Sequence, residues 1–323
     1  MEPRILQPLN SFFPVAPALS RSRDARITPL LQTQINPKMR TSRLVAINLL
    51  AVLYVMPFSA QKAQVKVGYD YEVSNGGHVR KDDYILLSGN EGSMFYNPTA
   101  LWMDINSKDD AACQAYGAMA SALQEAGRGS EVPNRTVSMY VFKDFDKEEQ
   151  TVYDDYSDQF AKYNEPFGEM QWEVVADSTE TVLGYECVMA RTAYHGREWT
   201  AWFAPEIPVH DGPWKFNGLP GLILKATEAT GIHSFTATGI EATDDKIPGM
   251  PRDDWYHKED RLKYLQGHYK HLQDPLADLA GGNLPNGARL FVNGEETTAG
   301  ELREQCRKQL DTGYDFLETD YHK

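Results

Sequence analysis

Residues 184–205 read GYECVMARTAYHGREWTAWFAP. Two runs rich in β-branched and aromatic residues flank the pair His195-Gly196. A Gly-containing pair between such runs marks a tight hairpin turn, so the stretch predicts two antiparallel strands. On the second strand Trp199, Ala201 and Phe203 share one face, and Glu198, Thr200 and Trp202 share the other, because side chains alternate along a strand. A tryptophan on each face implies that both faces are covered, one of them by the concave interior of a sheet.

Working outward, the same alternation recurs. QVKVGYDYEV (64–73), VRKDDYILLSG (79–89), TVSMYVFKDF (136–145) and MQWEVVAD (170–177) read as strands,. STE (178–180) reads as a turn between strands. GLILKAT and IHSFTATGIEA, after residue 220, form a further strand pair. SMFYNP (93–98) is a short apolar piece stopped by Pro98, and 150–166 reads as a strand followed by an irregular acidic stretch. Residues 108–126 are Ala-rich without Pro and predict a helix, with Ser107 and Asp110 at its start and Gly127 at its end,. From 251 the spacing of Trp255, Leu262, Leu265, Tyr269, Leu272 and Leu276 changes to three and four, so helices follow, with a last one at 299–310,. The expected class is α+β. It is a predominantly antiparallel sheet of about eight strands, able to curve into a half-open barrel, with a few added helices. Residues 61–323 form one domain, and 251–323 its helical C-terminal part.

The chain has 323 residues and is 41% hydrophobic, enough for one sizeable core,. Its net charge of −14 is unevenly spread: residues 1–60 hold seven Lys and Arg against Glu2 and Asp24. The acidic remainder repels phosphates, which argues against nucleic acid as a partner. The basic start has its own explanation. Arg40 and Arg43 precede an apolar run, Leu44 to Met56, and small residues follow at Ser59 and Ala60. That is the layout of a secretory signal over 39–60, too short for a membrane span. Export to the periplasm, the outer-membrane surface or the medium follows, with no transmembrane span in the mature chain. A signal starting at Met39 makes residues 1–38 an upstream extension, spurious or disordered. Cys113, Cys187 and Cys306 are too far apart for a metal pattern and permit at most one internal disulfide,.

Residues 211–226, DGPWKFNGLPGLILKA, are the densest in backbone punctuation. Pro205, Pro208 and Pro213 forbid a central strand there, so a loop crosses,. Gly218-Leu219-Pro220-Gly221 predicts a type II turn with Pro220 in its second position and positive φ at Gly221,. Gly212, Pro213, Gly218, Pro220 and Gly221 thus have structural roles. Trp214, Lys215 and Phe216 do not, and with Trp199, Trp202 and Leu219 they are the candidate lining of an aromatic binding groove.

Nucleotide-loop, zinc-protease and nucleophile-elbow signatures are absent from the sequence,. His268 and His271 share a helix face but lack a third ligand, and read as surface histidines. Asp144, Asp146 and Glu148 alternate like a calcium loop, but Glu149 stands where its glycine belongs,. Cys187 and His195 lie about 26 Å apart along an extended strand, which excludes them as a catalytic pair with Asp211. No catalytic residue, metal or cofactor is assigned. The alternative is a hydrolase with a non-standard site drawn from His195, Arg197, Glu198, His210 and Asp211.

The 184–226 block resembles the GLPGLI family of secreted Bacteroidetes proteins, named for the hexapeptide found here at Gly218–Ile223. Gly184-Tyr185 with Cys187, Gly196-Arg197-Glu198-Trp199, Ala201-Trp202-Phe203, Pro205-Glu206-Ile207-Pro208 and Gly212–Phe216 carry the resemblance. Glu165-Pro166, Trp172-Glu173 and Leu317–Tyr321 extend it. The family's molecular function is undefined, so the resemblance implies compartment and fold rather than activity. The order of strands and loop is also similar to periplasmic lipoprotein carriers, which implies at fold level a half-open barrel that holds a ligand. The expected function is a non-enzymatic binding or assembly protein of the cell envelope. Its partner would be an envelope lipid, a peptide or an outer-membrane protein.

Overall fold

The computed structural model describes residues 62–322, except 76–77, 134–138, 157–158, 278–283, 293–294 and 312–315. The extension at 1–38 and the signal at 39–60 lie outside the described residues.

Twelve strands build one sheet. They are β1 (Ala63–Asn75), β2 (His78–Gly89), β3 (Gly92–Tyr96), β4 (Tyr140–Asp144), β5 (Glu149–Tyr156), β6 (Gln159–Pro166), β7 (Glu173–Val182), β8 (Tyr185–Tyr194), β9 (Arg197–Ala204), β10 (Leu222–Glu228), β11 (His233–Ala242) and β12 (His257–Lys258). Their order across the sheet is β12-β6-β5-β4-β3-β2-β1-β11-β10-β9-β8-β7. Every neighbouring pair is antiparallel except β12 with β6. The sheet does not close, and β7 and β12 are its edges. A separate hairpin joins β13 (Arg289–Val292) to β14 (Glu295–Thr298). Among the described residues the α-helices are α1 (Pro98–Asn106), α2 (Asp110–Glu125), α3 (Arg261–Gln273) and α4 (Ala299–Asp311).

The antiparallel frame is as expected, and the quoted hairpin is β8–β9. Its turn residues His195 and Gly196 have φ of 49° and 85°, and the preceding turn, Leu183-Gly184, has 50° and 86°. Two consecutive positive φ values match the right-handed twist of flanking strands, which is why such turns suit hairpins. The sheet has more strands than expected. The acidic 150–166 stretch is a hairpin, β5–β6, whose inward residues include Ala161, Tyr163 and Glu165. STE is no turn: β7 runs through it with a register shift between Val175 and Thr179. The 93–98 piece does end there, β3 stopping at Tyr96, and Pro98 then opens α1, because the first helical position needs no N–H. α2 is capped by Asp109, not Ser107. Residues 251–323 hold α3 and α4 but also β12, β13 and β14.

Alternation divides the sheet into two faces. Val67, Tyr69, Tyr71, Tyr84, Phe95, Val141, Trp199 and Phe235 point into the main core. Met94, Tyr96 and Tyr140 point the other way, where they pack with α1 through Ala100 and Leu101. On the main side the sheet is covered by the 205–221 loop, by α3 through Tyr264 and Leu265, and by Phe316 and Tyr321. The loop does not make the expected type II turn. Gly221 does take a positive φ, but at 158° instead of the roughly 80° of a type II turn, and Gly218 has 86°. The Leu222 N–H goes to the carbonyl of Ile207 instead of closing the turn on Leu219.

Gly221 is required for a different reason. A Cβ there would meet the Ala204 carbonyl oxygen and lie 2.7 Å from its carbon. Both atoms are backbone of a central strand and cannot swing away. We expect Gly221→Ala to cost about 1–3 kcal/mol of stability, read as a lower urea midpoint with an unchanged slope. A wild-type midpoint would mean that the entry to β10 has room to shift.

Candidate functional site

The 211–217 loop is pinned into the core by a buried ammonium. Lys143 shares the inward face of β4 with Val141, as the two-residue period requires. Its Nζ donates to Asp211 Oδ1 (2.6 Å), to the Gly212 carbonyl (2.9 Å) and to the Phe216 carbonyl (2.7 Å). Burial lowers the Lys143 pKa, and the Asp211 carboxylate opposes that shift. Asp211 and Asn217 bridge the base of the loop. Trp172 Nε1 donates to the Asn217 carbonyl at 2.9 Å. All seven residues from Asp211 to Asn217 are buried. At the tip Trp214 takes φ of 51°, a costly conformation for a bulky residue. It lies among Tyr194, Trp199, Phe216 and Phe235.

Beside it, Lys215 enters a second and larger charged cluster. Its Nζ stands 2.5 Å from Glu165 Oε2 and 2.5 Å from Glu318 Oε1, fully buried. The rings of Tyr163 and Trp214 face the same ammonium at 5.0 and 5.5 Å. Arg261, at the start of α3, reaches Glu165 (3.2 Å), Glu318 (2.5 Å) and Asp320 (2.6 Å). His195 Nε2 lies 2.8 Å from Glu165, and its Nδ1 3.3 Å from Asp320. Three carboxylates, a lysine, an arginine and an imidazole therefore meet under the β8–β9 turn. Beside the turn lies a depression of about 400 Å³ lined by residues 193–198 and Asp320.

Glu165, His195 and Glu318 hold ligand atoms within 4.8 Å of one another, close enough for a metal ion. The cations already present take that role. Lys215 and Arg261 each contact both glutamates, and a dication would have to displace a buried ammonium.

The residues expected to line a groove are placed in the packing. Trp199, Trp214, Lys215, Phe216 and Leu219 are almost fully buried, and Trp202 is half-buried on the opposite face of β9. Of the hydrolase candidates, His195 is brought into the cluster and Arg197 lies beside it. Arg197 Nε donates to the Phe316 carbonyl at 3.0 Å, and its Nη1 lies 3.6 Å from Glu228. Glu198 lines the depression but is exposed, His210 is exposed, and Asp211 belongs to Lys143. Cys187 is buried at the Tyr185 carbonyl, and all three cysteines are free. His268 is not a surface residue: it stacks on Tyr156 at 4.7 Å and meets Phe316 edge-on. Glu165, Arg261, Glu318 and Asp320 were not singled out for a site by sequence. The available signal was Lys215 itself, a charge between Trp and Phe in an apolar frame, which demands a buried partner.

A GLPGLI-type family, described as "Protein of unknown function (Porph_ging)", matches residues 146–225. That span holds Glu165, His195 and Lys215 but neither Arg261 nor Glu318. No curated protein matches the chain. Among solved structures, PNGF-II resembles it in two crystal forms, at 13% and 15% identity with TM-scores of 0.42 and 0.41. The alignment covers 64% of this chain, which spans 33% of the PNGF-II chain. An outer-membrane lipoprotein-sorting protein domain from Vibrio parahaemolyticus aligns at 9% identity and TM-score 0.23, over 60% of this chain and 89% of that one. Similarities at this level carry neither activity nor ligand across.

Two tests follow from the charges. Burial alone would raise the Glu165 carboxyl, but Lys215 and His195 outweigh it and hold it below the ordinary carboxylate value. For Asp320, burial is likewise outweighed, here by Arg261, and the carboxyl falls to about 2. Both bind protons less readily when folded, so their stabilisation is present above about pH 4 and lost as pH falls toward 2. Asp154 on β5 behaves oppositely. Burial, then the neighbouring Asp155, pushes it up to about 7. It weakens the fold as pH rises from about 4 through 7. The stability advantage of Asp154→Asn over wild type, from urea midpoints, should therefore grow across that interval. A constant difference would count against the buried carboxyl. Second, EDTA should leave the melting temperature unchanged, because Lys215 stands where a metal would. A chelator-induced drop would overturn that assignment.

Proposed function

We propose that this chain is an exported binding or assembly protein of the cell envelope, of the GLPGLI type known from Bacteroidetes, and not a hydrolase. One observation carries the reading: the acid–base groups that meet at the site are paired with one another. Glu165, Glu318 and Asp320 each hold a cation, and both ring nitrogens of His195 face carboxylates. A general base needs a free lone pair within reach of a substrate proton, and this arrangement offers binding geometry in its place. Export rests on the basic and apolar pattern of 39–60. No helix among the described residues is long and apolar enough to cross a membrane.

The unclosed sheet, wrapped about the loop and α3, is read as a half-open barrel with its interior filled by its own aromatic residues. Of the expected partners, a peptide or protein suits it better than a lipid, since an acyl chain needs an open apolar cavity.

The test is to purify the protein from the cell envelope and weigh it intact and in complex by native mass spectrometry. A mature start near Gln61 and a bound partner are expected. An unprocessed cytoplasmic chain would overturn export. Turnover of model esters, amides or glycosides that disappears in His195→Ala would overturn the binding reading.

A further inference from the structure

Resting on the binding reading, the geometry points to the class of ligand: a short acidic peptide segment with aromatic flanks, bound in the socket that Lys215, Arg261 and Arg197 form beside the His195 ring. We propose that residues 316–322, FLETDYH, occupy this socket in cis and that a partner protein's segment of the same chemistry occupies it in trans.

The 316–322 segment is held the way a peptide ligand is held. It adds no strand to the sheet. Its main chain is fixed at separate points: the Phe316 carbonyl accepts from Arg197 (3.0 Å), the Thr319 N–H donates to the His195 carbonyl (2.9 Å), and the Tyr321 carbonyl accepts from Gln266 (3.2 Å). Its two acids, Glu318 and Asp320, are read separately. Glu318 goes to Lys215 and Arg261, and Asp320 to a two-pronged contact with Arg261 and to His195. Forked guanidinium contacts of this kind recognise carboxylate geometry as well as charge. Aromatic anchors flank them: Phe316 meets His268 and Tyr269, and Tyr321 meets Tyr269.

The body is shaped to let the segment cross. A Cβ on Gly196 would collide with Thr319 and come within 2.9 Å of the Asp320 nitrogen. The depression of about 400 Å³ opens at this crossing, lined by His195, Gly196, Arg197, Glu198 and Asp320. It gives an incoming chain access at the half-buried end of the segment, where Asp320 is more exposed than Glu318. Stability alone is a weak reason for this much buried charge, since such pairs often only break even against an apolar core. Recognition of a particular acidic sequence is a stronger one.

A tethered segment competes at an effective concentration on the order of millimolar, so wild type should resist a free peptide. The experiment uses the full chain with Glu318→Gln and Asp320→Asn, which weaken the segment and leave the socket intact. The probe is fluorescein-labelled FLETDYH, followed by anisotropy. Binding at least tenfold tighter than to wild type is expected, and loss of binding when the probe's own Glu and Asp are replaced by Gln and Asn. No binding by a variant that keeps the native circular dichroism and a cooperative melt would overturn the proposal. So would equal affinity for both probes, or a concentration-dependent dimer that exchanges segments. Should the double variant fail to fold, Asp320→Asn alone keeps the Glu318–Lys215 pair, and it must then bind the probe more tightly than wild type. Envelope partner binding that persists while the probe fails would refute the acidic-peptide socket and leave the general binding reading standing.

Discussion

The Lys215 ammonium, buried between Glu165 and Glu318, is the constraint on which the arrangement depends. An unpaired charge in that position would be untenable, and removing one partner of such a pair generally costs far more than the pair contributes. Five separate parts of the chain must therefore arrive together. β6 supplies Glu165, the loop supplies Lys215, and the β8–β9 turn supplies His195. α3 supplies Arg261, and the 316–322 segment supplies Glu318 and Asp320. Apolar packing would accept many small displacements of these parts. Carboxylate oxygens at hydrogen-bond distance from two cations accept few.

The loop can present Lys215 inward because Lys143 holds it from below. Three acceptors of the loop converge on one ammonium, so carbonyls that would otherwise be buried without partners are satisfied. The two lysines divide the work. Lys143 fixes the backbone of the loop, and Lys215 fixes what the loop touches. The strained tip at Trp214 lies between them, over-determined by aromatic contacts on several sides.

Most of the frame was legible in the sequence. The His195-Gly196 turn, the inward set Trp199, Ala201 and Phe203, and the last helix follow from local alternation and turn chemistry. What local pattern misread was also local. The acidic stretch before residue 166 looked irregular because Glu165 sits in an inward position, where strand alternation leads one to expect an apolar residue. Pro98 was legible as the stop of β3 but not as the start of α1, which needs the following residues to be helical. The candidate site was the least legible part. Trp214, Lys215 and Phe216 stood out as unexplained, but their partners Arg261 and Glu318 are distant in sequence, and a single chain records no signal linking them. The charge of Lys215 said that a partner must exist without saying where.

The separations within the cluster also have a bearing on time. Lys215 and Glu318 are 103 positions apart, Arg197 and Phe316 beside them 119, and elsewhere in the core Tyr69 donates to the Ile223 carbonyl across 154. Contacts of this span form late, because the entropy of closing long loops precedes their reward. Until they form, Lys215 has no reason to leave water, and the Trp214 tip has nothing to hold it in its unfavourable backbone conformation. The 211–217 loop is thus a latecomer, docking onto a sheet whose hairpins can assemble without it.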